Sequence, residues 1–205
     1  MGSDYCGIVL GVCTSRSVPQ STAAEVGEGP CGPRVAVLVD ETPNSAAAAG
    51  RAIGASVLQL HGSESADVVR ALRGLGDWTV WKGVRANSLD DIRAAVDEYG
   101  SHVDGLLIEG WREGAVGGAG LHLEVDPDAV RRAIPSDLTF VLAGGLTPES
   151  VSRAVARFRP EVVDVSSGVE REIGTKDHDR IEAFVHRARA SAFPQPPLAD
   201  PGRTR

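Results

Sequence analysis

Two stretches near the C-terminus have the residue types that hold an anion. Val141-Leu142-Ala143-Gly144-Gly145-Leu146-Thr147-Pro148-Glu149 and Val163-Asp164-Val165-Ser166-Ser167-Gly168-Val169-Glu170 each start as an apolar run and break abruptly into small residues. Glycine lets backbone N–H groups approach a ligand closely, and a turn or helix starting there aims those donors at negative charge. Phosphate is the natural occupant, with Gly144, Gly145, Ser167 and Gly168 as the expected phosphate-binding residues. One such stretch needs only tight-turn glycines; two in successive units point to phosphate. Other groups with chemical reach also end apolar runs. Glu109 closes Asp104-Gly105-Leu106-Leu107-Ile108-Glu109, and His61 follows Leu58-Gln59-Leu60. Histidine titrates near neutrality, yet within a loop motif a hydrogen-bonding role suits His61 better than proton transfer. Lys82 and Arg85 either add positive charge to a site or are solvated. Asp164 either shapes the last glycine loop or reaches the ligand.

The elements that must position these groups alternate regularly. Short apolar runs at Cys6–Val12, Arg34–Val39, Ser56–Leu60, Thr79–Val84, Val103–Ile108, Leu138–Leu142 and Val162–Val165 read as seven strands. Helical spacing follows at Ser21–Val26, Ser45–Ile53, Ala66–Leu75, Leu89–Tyr99, Asp126–Ala133, Pro148–Phe158 and Asp177–Ala190, mostly behind a capping residue or first-turn acid. Strands that are apolar throughout are buried on both faces, which implies a parallel sheet covered by helices. Two α/β architectures satisfy this, a (β/α)8 barrel of the TIM type and an open doubly wound sheet. The nucleotide fingerprint GxGxxG is absent from the first turn, Gly11-Val12-Cys13-Thr14-Ser15-Arg16. Residues 1–190 form the expected domain, and the Pro-rich, aperiodic residues 191–205 a disordered tail.

Composition narrows the function classes. The chain has 205 residues, 42% hydrophobic and 24% charged, the proportions of a globular domain with a sizeable core. A net charge of −7 without a clustered Lys/Arg run argues against a nucleic-acid partner. Apolar stretches are too short for a membrane span, and no basic-then-apolar leader opens the sequence, so a cytoplasmic address and no membrane partner are expected. Cys6, Cys13 and Cys31 lack CxxC spacing and read as inert thiols. Trp78, Trp81 and Trp111 read as packing and rim residues.

In combination, Leu58-Gln59-Leu60-His61-Gly62-Ser63-Glu64, the Gly144-Gly145 and Ser166-Ser167-Gly168 segments, and Gly174-Thr175-Lys176-Asp177 resemble the motifs of the phosphoribosylanthranilate isomerase family. The resemblance runs from about Asp4 to Ala190. It implies a (β/α)8 barrel of the tryptophan pathway and an Amadori rearrangement that needs no metal and no cofactor. A general acid protonates the ribose ring oxygen of a phosphorylated small-molecule substrate, the ring opens to a Schiff base, and a general base removes the C2′ proton. Two proton-transfer groups on opposite sides of the substrate are required. The resemblance places the acid, an aspartate in the family, at Glu109. A glutamate at a strand end in a partly dry pocket is expected to have a raised pKa. Arg16, in Thr14-Ser15-Arg16-Ser17-Val18, would face an anionic substrate group such as the anthranilate carboxylate, and His61 joins it as substrate-binding.

The sequence departs from the family pattern in three places. Glutamate replaces aspartate at 109. Gly114–Gly120 keeps a glycine loop but has Ala119 where the family has threonine, followed by Leu123-Glu124-Val125. Cys6-Gly7 imitates the family's Cys-Gly base, yet it lies ten residues before Arg16, a spacing that aligns Cys6–Val12 with the family's second strand. The first strand–helix unit and its cysteine are then absent or replaced. A start further upstream, a true seven-stranded variant, or another element closing the gap each accounts for this, and Cys13 and Cys6 are the bases on offer. The unpaired edges of an open seven-stranded sheet would favour a homodimer. Beside the isomerase stand a diverged barrel that binds a phosphorylated ligand without catalysis and one redirected to another phosphosugar or amine reaction.

Overall fold

A computed structural model describes residues 2–10, 16–19, 32–110 and 123–192. The expected helix at Ser21–Val26, Cys13, Cys31, Trp111, the Gly114–Gly120 loop and the tail beyond Ala192 lie outside the described residues. All seven expected strands are present: β1 (Cys6–Val9), β2 (Arg34–Leu38), β3 (Val57–Leu60), β4 (Thr79–Ala86), β5 (Gly105–Gly110), β6 (Thr139–Ala143) and β7 (Val162–Val163). Among the described residues there are six helices: α1 (Pro43–Ala52), α2 (Ala66–Arg73), α3 (Leu89–Tyr99), α4 (Pro127–Ala133), α5 (Val151–Phe158) and α6 (His178–Ala192). A short hairpin, β8 (Glu170–Glu172) with β9 (Thr175–Lys176), and a 3-10 turn over Ser167–Val169 were not expected, because such short polar segments carry no periodicity.

Strand order decides between the two architectures. Every neighbouring pair from β1 to β7 is parallel, and spatial order equals chain order. A doubly wound sheet must reverse its order at a switch point. Here the order never reverses, so the described helices collect on one face and the sheet curls away from them. The seven strands form a curled partial barrel.

The period-2 alternation of strand residues assigns the two faces. Ala36, Leu38, Leu58, Leu60, Leu106, Ile108, Phe140 and Leu142 pack outward with Val69, Leu72, Ile92, Val130, Val151 and Phe158 from the helices. Val35, Val57, Trp81, Leu107 and Val141 form a smaller cluster on the concave face, drawn from strands alone. Parity places Gln59, Gly83, Arg85 and Glu109 on that concave face too, two or four residues nearer the C-terminal strand ends. Helix caps hold the register of the surrounding layer. Ser88 and Asp91 form a capping box on α3, and Thr42 and Asp126 cap α1 and α4. Helix α5 starts at Val151 rather than Pro148, because Thr147–Ser150 closes a turn of its own, with the Thr147 N–H donating to Ser150 Oγ at 2.9 Å.

Candidate active site

The C-terminal ends of β3 to β7 converge on His61, Arg85, Glu109, the Gly144-Gly145 turn and the Ser167–Val169 turn. Glu109 is half-buried, and its Oε2 lies 3.5 Å from His61 Nε2 and 3.5 Å from Arg85 Nε. At that range neither contact is a well-formed hydrogen bond, and Oε2 is buried with no hydrogen-bond partner among the described residues. The His61 ring, followed by Arg85, holds the Glu109 carboxyl below the ordinary carboxylate range, outweighing the opposing effect of burial. This reverses the raised pKa expected of Glu109 from a dry pocket alone, since the His61 ring and the Arg85 guanidinium come from other strands and were not legible in the strand it ends.

His61 is fixed from three sides. Its N–H donates to Leu38 O at 2.8 Å, its Nδ1 lies 3.2 Å from Gln59 Nε2, and its ring rests on Gly83. A Cβ at position 83 would sit 2.5 Å from His61 Nδ1, so the strand beneath the ring needs glycine. Asp164, just beyond β7, interacts electrostatically with both His61 and Glu109. Crowding by protein atoms pushes its carboxyl up, while His61 and Lys176 pull it down. Its side chain still has open surface towards solvent, so the rise is smaller than complete enclosure would give.

The two glycine turns are packed onto each other and onto Glu109. Gly144 (φ 94°) and Gly145 (φ 70°) both take left-handed conformations open to glycine. A Cβ on Gly144 would meet Gly110 O at 2.6 Å and Glu109 Cγ at 3.1 Å; one on Gly168 would meet Leu146 O at 1.8 Å. Glu109, Gly144, Leu146 and Gly168 thus form a continuous contact chain along the strand ends. Cations hold the second turn by its carbonyls. Lys176 Nζ donates to Ser166 O at 2.8 Å, and Arg180 donates to Gly168 O through Nε at 3.1 Å and Nη2 at 2.9 Å. With the carbonyls engaged from that side, the turn's shape is set before any ligand arrives.

Arg16 belongs to the same region but is occupied. Its guanidinium forms a two-pronged ion pair with Glu170, at 2.8 Å through both Nε and Nη2, and Lys176 joins Glu170 at 3.1 Å. The Arg16 contact, ahead of Lys176, lowers the Glu170 carboxyl to about 2. The open guanidinium expected at the mouth is therefore docked, one residue past the 3-10 turn. Cys6 lies at the N-terminal end of β1 and shares its face with Ile8, which is packed in the helix-side core. It is away from this site, which removes it as a base.

Lys82 neither adds charge at the rim nor meets solvent, the two roles expected of it. Strand parity turns it to the helix side, where it pairs with Glu64 at 3.2 Å, both side chains buried. Glu64 and Glu170 were the site-region residues the sequence reading missed. A charged residue at an outward strand position was the available signal for Lys82 and its partner. A cleft of about 580 Å³, lined among others by Asp40, His61, Lys82, Arg85, Tyr99 and Glu109, opens at this end, within the size range of small-molecule sites. A depression of about 640 Å³ beside the β8–β9 hairpin shares none of those residues and contains no part of the His61–Glu109 pair.

A parallel α/β sheet curled like a barrel, with a carboxylate–histidine pair and paired glycine turns at its C-terminal edge, defines the class as a barrel-like α/β enzyme. Residues 1–187 match the family model described as N-(5'phosphoribosyl)anthranilate (PRA) isomerase, and the chain belongs to that family. It is 39% identical over 199 residues to the N-(5'-phosphoribosyl)anthranilate isomerase of Afipia carboxidovorans, covering 95% of this chain and 84% of that one. Among solved structures, monomers of the dimeric isomerase from Thermotoga maritima share 30% identity at a TM-score of 0.75, over 92% of this chain and 88% of that one. An isomerase in complex with reduced 1-(o-carboxyphenylamino)-1-deoxyribulose 5-phosphate shares 28% identity at a TM-score of 0.76, over 92% and 89%. No helix among the described residues is long and apolar enough to cross a membrane.

Proposed function

We infer that this chain is a phosphoribosylanthranilate isomerase, which converts N-(5'-phosphoribosyl)anthranilate to the carboxyphenylamino-deoxyribulose phosphate in tryptophan biosynthesis. The observation that carries the reading is the buried Oε2 of Glu109, which has no hydrogen-bond partner among the described residues, next to His61 and one contact away from the glycine turns. A buried oxygen without a partner is one that a ligand can satisfy. In this reading the amides of Gly144, Gly145, Ser167 and Gly168 hold the phosphate, and Arg16 exchanges Glu170 for the substrate carboxylate. Glu109 delivers its proton to the ribose ring oxygen. The bound phosphate and carboxylate place negative charge near Glu109 and displace water, and both effects raise its carboxyl from the lowered ligand-free value towards the range of a general acid. Ring opening then gives the Schiff base. Asp164, an exposed carboxyl just beyond β7 that interacts with both His61 and Glu109, is the chain's own candidate to take the C2′ proton.

The seven strands are read as seven of the eight units of a (β/α)8 barrel. A homodimer is proposed because β1 and β7 are the ends of the hydrogen-bonded strand order, and because a relative is described as dimeric. A cytoplasmic address suits the pathway. The test is turnover of phosphoribosylanthranilate, followed by loss of substrate fluorescence, for the wild-type chain and Glu109→Gln. Turnover that the variant abolishes is the expected result. A folded wild-type chain that binds inorganic phosphate but shows no turnover would refute the isomerase reading and favour a diverged binding barrel.

A further inference from the structure

The best-satisfied charged pair in the described residues lies behind the site, on the helix side of β4. Lys82 (2% exposed) donates from Nζ to Gly62 O at 2.7 Å and Gly83 O at 2.9 Å, and pairs with Glu64 (4% exposed) at 3.2 Å. Glu64 in turn accepts from the Gly62 N–H at 3.1 and 3.0 Å and from the Asp40 N–H at 2.8 Å. Tyr99 closes the cluster. Its hydroxyl donates to Glu64 O at 3.0 Å, and its ring lies 5.5 Å from Lys82 Nζ. An ion pair taken out of water is poor value for stability alone, since apolar residues of the same volume are often neutral or better. What this pair does accomplish is geometric. Of the three carbonyls that Lys82 grips, two belong to the residues on either side of His61, Leu60 (3.4 Å) and Gly62, and one to the glycine under the His61 ring, so its ammonium fixes the His61 loop against β4.

We propose that Glu64 and Lys82 are positioning residues for the isomerase reaction: their buried pair sets where the His61 ring stands relative to Glu109. The proposal rests on the reading of this site as the isomerase centre. Among the described residues three titratable side chains face Glu109, namely His61 beyond β3, Arg85 from β4 and Asp164 beyond β7, while β6 pairs it with the apolar Ala143 and Gly144 follows just beyond that strand. Of these, His61 is the one whose loop the clamp ties to β4. Loosening the clamp by about 1 Å is enough to cost on the order of a hundredfold in rate, because proton transfer needs hydrogen-bond geometry. It also loosens the contact of the His61 ring that holds the Glu109 carboxyl down.

The test is the double variant Glu64→Gln/Lys82→Met. It removes both charges together, keeps an amide oxygen for the Asp40 and Gly62 N–H groups, and fills the lysine's volume. Two readouts are taken on folded protein, kcat and KM for phosphoribosylanthranilate, and the titration of the Glu109 carboxyl in ligand-free protein by carbon-detected NMR. The expected result is a kcat lower by about ten- to a hundredfold, a KM within about twofold, and a Glu109 carboxyl that titrates at higher pH than in the wild type. Unchanged kcat and an unchanged Glu109 titration in a folded double variant would overturn the proposal. If that variant does not fold, Tyr99→Phe, which removes one hydroxyl contact to the same loop, is read the same way: a shift of both readouts in the same direction supports the clamp, and no shift in either overturns it. A wild-type chain without turnover would instead defeat the isomerase reading, while the NMR titration would still report on the clamp.

Discussion

Replacing Gly168 by alanine tests the contact chain that joins the two glycine turns. The added Cβ would lie 1.8 Å from Leu146 O, 2.9 Å from its carbonyl carbon and 3.2 Å from Thr147 Cα, all backbone atoms that cannot rotate away. Reaching an ordinary contact near 3.4 Å requires the turns to part by about 1.6 Å. That movement exceeds the tolerance of a hydrogen bond, so a phosphate seated on amides of both turns keeps one set and loses the other. Each bond to a charged group contributes about 1.5–3 kcal/mol, so loss of one raises KM by roughly ten- to a hundredfold. The overpacked contact itself costs about 1–3 kcal/mol of stability. The assay is steady-state turnover with inorganic phosphate as competitive inhibitor, together with chemical denaturation. The expected pattern is a large rise in both KM and the phosphate inhibition constant with a smaller change in kcat. Gly74→Ala is the control, since its Cβ would meet only Ala71 O at 3.4 Å and should leave all three unchanged. A folded Gly168→Ala protein with wild-type KM and phosphate inhibition would refute the assignment of these turns to the phosphate.

Three further outcomes follow from the same geometry. Gly83→Ala should push the His61 ring off its seat, lowering kcat and raising the pH at which Glu109 titrates; a pH-rate series with NMR titration checks both. The Glu170 carboxyl, at about 2 against an ordinary 4.5, contributes stability that is present above pH 4.5 and lost as pH falls through 2. Because Arg16 is more than a third exposed, screening limits that contribution to about 1 kcal/mol, and acid unfolding of Glu170→Gln should show a correspondingly shallower loss. Ser88→Ala removes half of the α3 capping box and should cost about 1 kcal/mol in denaturant unfolding while turnover stays at the wild-type level.

The amino-acid sequence by itself determined the seven strands, the helices between the described ones, and the glycine turns after β6 and β7, because each depends on local periodicity and on the conformational freedom of glycine. It also determined family membership, through motifs whose order and spacing survive at modest identity. What only the tertiary structure decided depends on which residues meet across the sheet. Strand order, and with it the curl that excludes a doubly wound sheet, is a property of pairing between segments far apart in the chain. The lowered Glu109 carboxyl depends on His61 and Arg85 from two other strands, so its own strand predicted the opposite direction. Lys82 was misplaced for a related reason. It lies three residues before Arg85 on the same strand, and pleat parity turns the two to opposite faces, one into the site and one into the layer behind it. Arg16 and Glu170, separated by 154 positions, meet only because the chain closes around the strand ends. Local sequence specifies the pieces and their chemistry; charge balance and burial at the site come from long-range contacts that no single segment contains.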